Sequence, residues 1–147
     1  MKLLKTILLV EDNPNDVELT LSAMAENKLA NQIKVVSDGV EAIKYLRCEG
    51  EYKGREGGNP AFVLLDIKMP RMDGIEVLRT IRSDPKLKTL PVVILTSSGE
   101  EQDLITSYNL GVNAYVIKPV KFKEFIEAVK QIGIFWAFLN ELPPEGV

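Results

Sequence analysis

Phe62-Val63-Leu64-Leu65-Asp66 is four apolar residues closed by an acid, and Ile67-Lys68-Met69-Pro70-Arg71-Met72-Asp73-Gly74 follows directly. An apolar run of this length reads as a strand buried on both faces, and in open α/β sheets the reacting groups sit just beyond the carboxyl ends of such strands. A charge at that point needs a reason. Toward the N-terminus, Thr6-Ile7-Leu8-Leu9-Val10 ends the same way, in Glu11-Asp12. Two strand ends carrying carboxylates suggest one shared site.

Outward from these runs, strand character recurs at 33–36, 92–95 and 114–117, with helical spacing between. Asn13-Pro14 supplies an N-cap and a proline at the first helical position, and Val17, Thr20, Leu21 and Met24 then share one face. Asp38-Gly39 precedes a second helix with Val40, Ile43, Tyr45 and Leu46. A third carries Ile75, Leu78 and Ile81 and stops before Asp84-Pro85. Residues 102–110 predict a shorter fourth, ended by Gly111, and a fifth begins near Lys121 with Phe122, Phe125, Ile126 and Val129. Strict β-α alternation predicts an α/β fold, a flavodoxin-like (βα)5 doubly wound parallel sheet of strand order 2-1-3-4-5. Its topological switch point falls between strands one and three, the strands that end in Glu11-Asp12 and Asp66. The segment 49–60, rich in glycine and charge, reads as an extended exposed loop.

The chain of 147 residues, 46% hydrophobic and 27% charged, is the size of one domain, so residues 1–147 are read as a single unit. With 18 basic and 21 acidic residues the net charge is -3, which gives no electrostatic reason for a nucleic-acid partner. The single cysteine, Cys48, excludes an intrachain disulfide and reads as a small apolar residue. No segment reaches the roughly 18 to 20 apolar residues of a membrane span, and the N-terminus lacks a signal-peptide pattern. A soluble, cytoplasmic protein is expected, without a membrane or nucleic-acid partner. The chain has no histidine, so His-based acid–base chemistry, His-rich zinc sites and an internal phosphohistidine are excluded.

Three carboxylates in one crevice repel one another and either protonate or bind a cation, and a hard divalent ion with oxygen ligands answers that problem. Mg2+ is the expected ion, with Asp12 and Asp66 as direct ligands, Glu11 through water and the Lys68 backbone carbonyl as a further donor. Strand four ends in Thr96 and strand five in Lys118-Pro119, which bring a hydroxyl and an ammonium to the same edge. Both suit an anion. A phosphoryl group on Asp66 would share its oxygens among Mg2+, Lys118, Thr96 and backbone amides, with Asp66 as nucleophile.

The set Glu11-Asp12, Asp66 through Gly74, Thr96 and Lys118-Pro119 resembles the receiver domain of two-component response regulators, across nearly the whole chain. The resemblance implies that Asp66 accepts phosphate from the phosphohistidine of a sensor histidine kinase. It also implies that Glu11 and Asp12 hold Mg2+, that Lys118 contacts the phosphoryl group, and that Thr96 with Tyr115 forms the signalling switch. Tyr115 on its own fits a packing aromatic equally well. The signal would be a change of the face built by helix four, strand five and helix five. As the chain continues only briefly past helix five, no output domain is expected. The regulator would act on a downstream protein target or a phosphorelay protein, catalysing only its own phosphorylation and slow dephosphorylation.

The apolar extension of the fifth helix, at about 132–147, contains Ile132-Gly133-Ile134-Phe135-Trp136-Ala137-Phe138-Leu139, with apolar side chains around most of the helix circumference. Either Leu142-Pro143-Pro144 folds back over it or a second copy covers it. Symmetric pairing through Phe135, Trp136, Phe138 and Leu139, giving a homodimer, is preferred. The Phe135-Trp136 pair, the tail and the loop before Phe62 also resemble the small receivers associated with bacterial phytochromes, which makes such a phytochrome one option for the kinase. Two rival readings fit less well. A haloacid-dehalogenase-like phosphatase would carry a second acid where Lys68 stands, and a nucleotide or flavin carrier would need a Gly-rich loop after strand one.

Overall fold

A computed structural model describes residues 6–25, 33–55, 58–97, 106 and 108–132, the last four of these by their backbone alone. Five strands, β1 (Ile7–Val10), β2 (Ile33–Val36), β3 (Phe62–Asp66), β4 (Val92–Thr96) and β5 (Ala114–Ile117), form one parallel sheet ordered β2-β1-β3-β4-β5. This is the predicted flavodoxin-like arrangement. In register, Val10 lies beside Leu65 and Asp66 beside Leu95, so β1 and β3 end together.

Helices cover both faces because the central strands are apolar except for Asp66 and Thr96 at their carboxyl ends, and their alternate side chains feed two cores. On one face Leu8, Val10, Val63, Leu65, Val92 and Ile94 meet α2 (Gly39–Arg47) and α3 (Gly74–Ser83) through Ile43, Leu46, Val77, Leu78 and Ile81. On the other, Ile7, Leu9, Phe62, Leu64, Val93 and Leu95 meet Met24 of α1 (Pro14–Ala25) and Phe125 and Ala128 of the C-terminal helix (Phe122–Ile132), the fifth predicted from sequence. The Phe62 and Phe125 rings lie 5.9 Å apart. Each fully buried large side chain contributes about 1.5–3 kcal/mol, so this two-sided core fixes the strands that carry the site.

Three helices start on the same device. Asn13 Oδ1 accepts the amides of Asn15 and Asp16, Asp38 Oδ1 that of Glu41, and Asp73 Oδ1 that of Glu76. Each cap sits just past a strand end, so the chain turns into a helix at the carboxyl edge of the sheet.

The outer strands are less buried than the central three: β2 is half-buried, and Tyr115 and Ile117 of β5 are 42% and 47% exposed, as befits the two edges of the sheet. One feature differs from the sequence reading. The loop from residue 49 is not simply extended. Gly50 and Gly54, at φ 56° and 89°, let it turn through a 3-10 helix (Gly50–Tyr52) and fold back on α2. There Tyr52 packs edge-on against Tyr45 at 5.1 Å, and the Arg55 guanidinium stacks 4.1 Å from the Tyr45 ring while Arg55 Nε donates to the Tyr45 carbonyl. Cys48 stands one residue past α2 as its left-handed cap. Gly111 is left-handed as expected, but most of the predicted fourth helix lies outside the described residues, as does the apolar tail with Phe135, Trp136, Phe138 and Leu139. Among the described residues no helix is long and apolar enough to cross a membrane.

Candidate functional site

The carboxyl ends of β1, β3, β4 and β5 bring Glu11, Asp12, Asp66, Thr96 and Lys118 to one edge, as alternation and the switch point require. Carboxylate oxygens of Glu11, Asp12 and Asp66 lie within 4.8 Å of one another. Glu11 and Asp66 are buried at 1% and 3% exposure, whereas Asp12 faces solvent. Two acids so close and so far from water raise each other's energy. Burial first, and then the hydrogen bond and charge of Glu11, push the Asp66 carboxyl well above the usual carboxylate range, against the pull of Lys118. This all-oxygen donor set, part buried and part open, fits a hard divalent cation that keeps some of its own waters.

Lys118 is the counter-charge. Its Nζ lies 3.0 Å from Glu11 Oε1, 3.0 Å from Asp16 Oδ2 and 3.1 Å from Asp66 Oδ1. Burial acts to lower the pKa of this ammonium, but the hydrogen bonds to Glu11 and Asp16 and the charge of Asp66 outweigh it, and the net shift is upward. Lys118 stays charged. The Lys118 amide also donates to the Thr96 carbonyl at 2.8 Å, which ties the β4 and β5 ends together. Thr96 is buried, with its hydroxyl donating to the Ser97 carbonyl at 3.1 Å. Tyr115 points outward on β5, and its ring meets Tyr108 edge-on at 5.9 Å.

The loop from Asp66 to α3, which carries Lys68, is held at both ends. The Gly74 amide donates to the Ile67 carbonyl at 2.7 Å, and a methyl group on Gly74 would overlap the Asp66 carbonyl, so only glycine fits. Arg71, left-handed at φ 65°, reaches Asp38 with two bonds, Nε to Oδ2 at 3.0 Å and Nη2 to Oδ1 at 2.9 Å. Lys68 itself is exposed.

Two elements of this site escaped the sequence reading. Asp16 is the more consequential, and its signal was its position one helical turn after Asp12 on a helix whose first turn faces the acids. The Arg71–Asp38 pair joins residues far apart in sequence and left no pattern to read.

A buried acid at the β3 end, two acids at β1, and a hydroxyl and a lysine at β4 and β5 thus share one edge of the sheet. Residues 7–130 match the response regulator receiver domain, and the chain belongs to that family. Response regulator Rcp1 of Synechocystis sp. is 38% identical over 95% of this chain and 93% of its own length. A solved structure of the Mn2+-bound form of Rcp1 superposes with a TM-score of 0.73. The bacteriophytochrome response regulator RtBRR is 56% identical, with a TM-score of 0.84 covering 97% of this chain and 86% of that one. The phosphorylated cyanobacterial phytochrome response regulator RcpA is 43% identical, at a TM-score of 0.74 over 91% and 94% of the two chains.

Proposed function

We propose that this receiver accepts a phosphoryl group on Asp66 from the phosphohistidine of a sensor histidine kinase. A carboxylate oxygen of Asp66 attacks phosphorus, the P–N bond breaks with its electron pair staying on the imidazole, and an acyl phosphate forms. The observation that carries this reading is the Lys118 ammonium 3.1 Å from Asp66 Oδ1 on a buried carboxylate. There it can meet the charge that develops on the transferring oxygens. Glu11, Asp12 and Asp66, whose carboxylate oxygens converge, would hold Mg2+ together with the Lys68 carbonyl, and the ion would offset the charge of the acids and the phosphoryl group. The Mn2+-bound Rcp1 and the phosphorylated RcpA support the assignment. The chain turns over only its own phosphoryl group, and hydrolysis is slow.

Signalling follows from the hydroxyl and the aromatic. The Thr96 hydroxyl leaves the Ser97 carbonyl for a phosphoryl oxygen, and the outward Tyr115 turns into the space this opens. Converting a mostly inactive to a mostly active population takes roughly 3–5 kcal/mol, which a few charge-assisted hydrogen bonds supply. The output is a changed surface around β5 and the C-terminal helix, read by a downstream protein or a phosphorelay protein. The kinase is a bacterial phytochrome, by likeness to RtBRR and RcpA, and the apolar tail around Trp136 pairs two copies. Trp136→Ala is expected to shift the solution mass from dimer to monomer. The direct test of the function is label transfer from an autophosphorylated phytochrome kinase. Loss of label from the kinase and its gain by wild type but not by Asp66→Asn is expected, whereas transfer to both proteins would overturn the assignment.

A further inference from the structure

The first turn of α1 carries an acid whose use departs from what its position favours. Asp16 is the third helical residue after the Asn13 cap, the place from which an acidic side chain ordinarily reaches back to the cap amide. In this chain the Asn13 amide donates instead to Glu11 Oε2 at 3.2 Å. Asp16 is left to pair with Lys118, its Oδ2 3.0 Å from Nζ, and its side chain is 28% exposed. At the starts of α2 and α3 the equivalent acids, Glu41 and Glu76, make no such contact with the site; Glu41 accepts the Ser37 amide and the Tyr52 hydroxyl.

The ammonium donates to Glu11 Oε1 and to Asp16 Oδ2, each at 3.0 Å, and lies 3.1 Å from Asp66 Oδ1, so three acids surround it. Asp66 is the acceptor of the proposed reaction, and Glu11 is one of the three acids that converge on the cation site. Asp16 belongs to neither set. We propose that Asp16 is a positioning residue that holds Lys118 at the Asp66 oxygen, so that the ammonium keeps its place when the other acids turn to the cation and the phosphoryl group. This rests on the phosphoryl-accepting reading. It assigns to an acid of helix α1 a part in transfer that its ordinary role, favouring the positive end of the helix, would not require.

The test uses the full chain and two readouts. In the first, the rate of phosphorylation by acetyl phosphate at saturating Mg2+ is followed by intact mass for wild type, Asp16→Asn, Lys118→Met and the double variant. Asp16→Asn is expected to lower the maximal rate on the order of tenfold, with the half-saturating Mg2+ concentration changed by less than about threefold. In the Lys118→Met background the same change should have no further effect, since Asp16 acts through the lysine. Glu76→Gln, the matching loss of charge on α3, should leave the rate as it was. In the second, cation-free protein is acylated with a limiting amine reagent, and modification of Lys118 is read by peptide mass. Labelling should rise severalfold in Asp16→Asn and stay at the wild-type level in Glu76→Gln.

An unchanged rate and unchanged labelling in Asp16→Asn would overturn the proposal, as would equal slowing with and without Lys118. If wild type accepted no phosphoryl group, the functional reading would fail. The labelling result would still decide whether Asp16 holds the lysine.

Discussion

The two ends of the sheet treat charge in opposite ways. At the carboxyl end, Glu11 and Asp66 are buried beside each other with one ammonium between them, and burial pushes the Asp66 carboxyl up. At the amino end, charged groups are met in full. Arg82, in the last turn of α3, donates to the carbonyls of Lys88, Leu90, Leu110 and Gly111 and to Asn113 Oδ1, stapling the approaches to β4 and β5. Nearby, the amide of Lys86 and then the guanidinium of Arg47 hold the Asp84 carboxyl below its usual range. One end stores repulsion that a bound cation would relieve, and the other secures the scaffold against which that relief would be felt.

The sharpest way to break this contrast is Asp66→Asn. It should abolish phosphoryl acceptance while raising the unfolding free energy in chelator by on the order of 1 kcal/mol, because it removes a buried charge that faces another acid. A drop in stability by equilibrium unfolding would mean that the carboxyl end is not strained. Arg82→Met should do the reverse, with a loss of about 2–4 kcal/mol, since several carbonyls lose a charged donor, and normal phosphorylation of the molecules that remain folded. Urea unfolding beside a phosphorylation time course separates the two effects.

A smaller change is expected at Arg71→Gly. Glycine relieves the left-handed backbone but gives up the exposed pair with Asp38, and the two should offset to within about 1 kcal/mol. What should move is Mg2+ affinity, weakened severalfold in titration calorimetry as the Lys68 loop loses its tie to α2.

The smallest effect concerns Asp84. Its folded pKa lies below the unfolded one, so its contribution is present above the unfolded carboxylate pKa and fades as pH falls through the folded value. The stability gap between wild type and Asp84→Asn should therefore exist at neutral pH and close on acidification. A gap that widened in acid would reverse the sign assigned to this end of the sheet.

Much of the carboxyl end was legible in the sequence because each of its groups follows an apolar strand. Period, burial and chain order bring Glu11, Asp12, Asp66, Thr96 and Lys118 together before any coordinate is known. Asp16 was not legible, because its role depends on which oxygen takes the Asn13 amide, a choice made by side-chain geometry. Nor was the Arg82 staple, since an arginine on an amphipathic helix looks like any solvated charge until the loops at 84–91 and 110–113 close around it. Nor does an apolar run by itself reveal how deeply it is buried, and β2 and β5, at the rims of the sheet, are only partly so.

The most direct measurement is the intact mass of the chain after incubation with acetyl phosphate, with Mg2+ or with chelator, for wild type and Asp66→Asn. Addition of one phosphoryl group to wild type, dependent on Mg2+ and absent from Asp66→Asn, is the expected result. No gain in wild type, or an equal gain in Asp66→Asn, would contradict the claim that the crowded acids at the carboxyl end exist to receive phosphate.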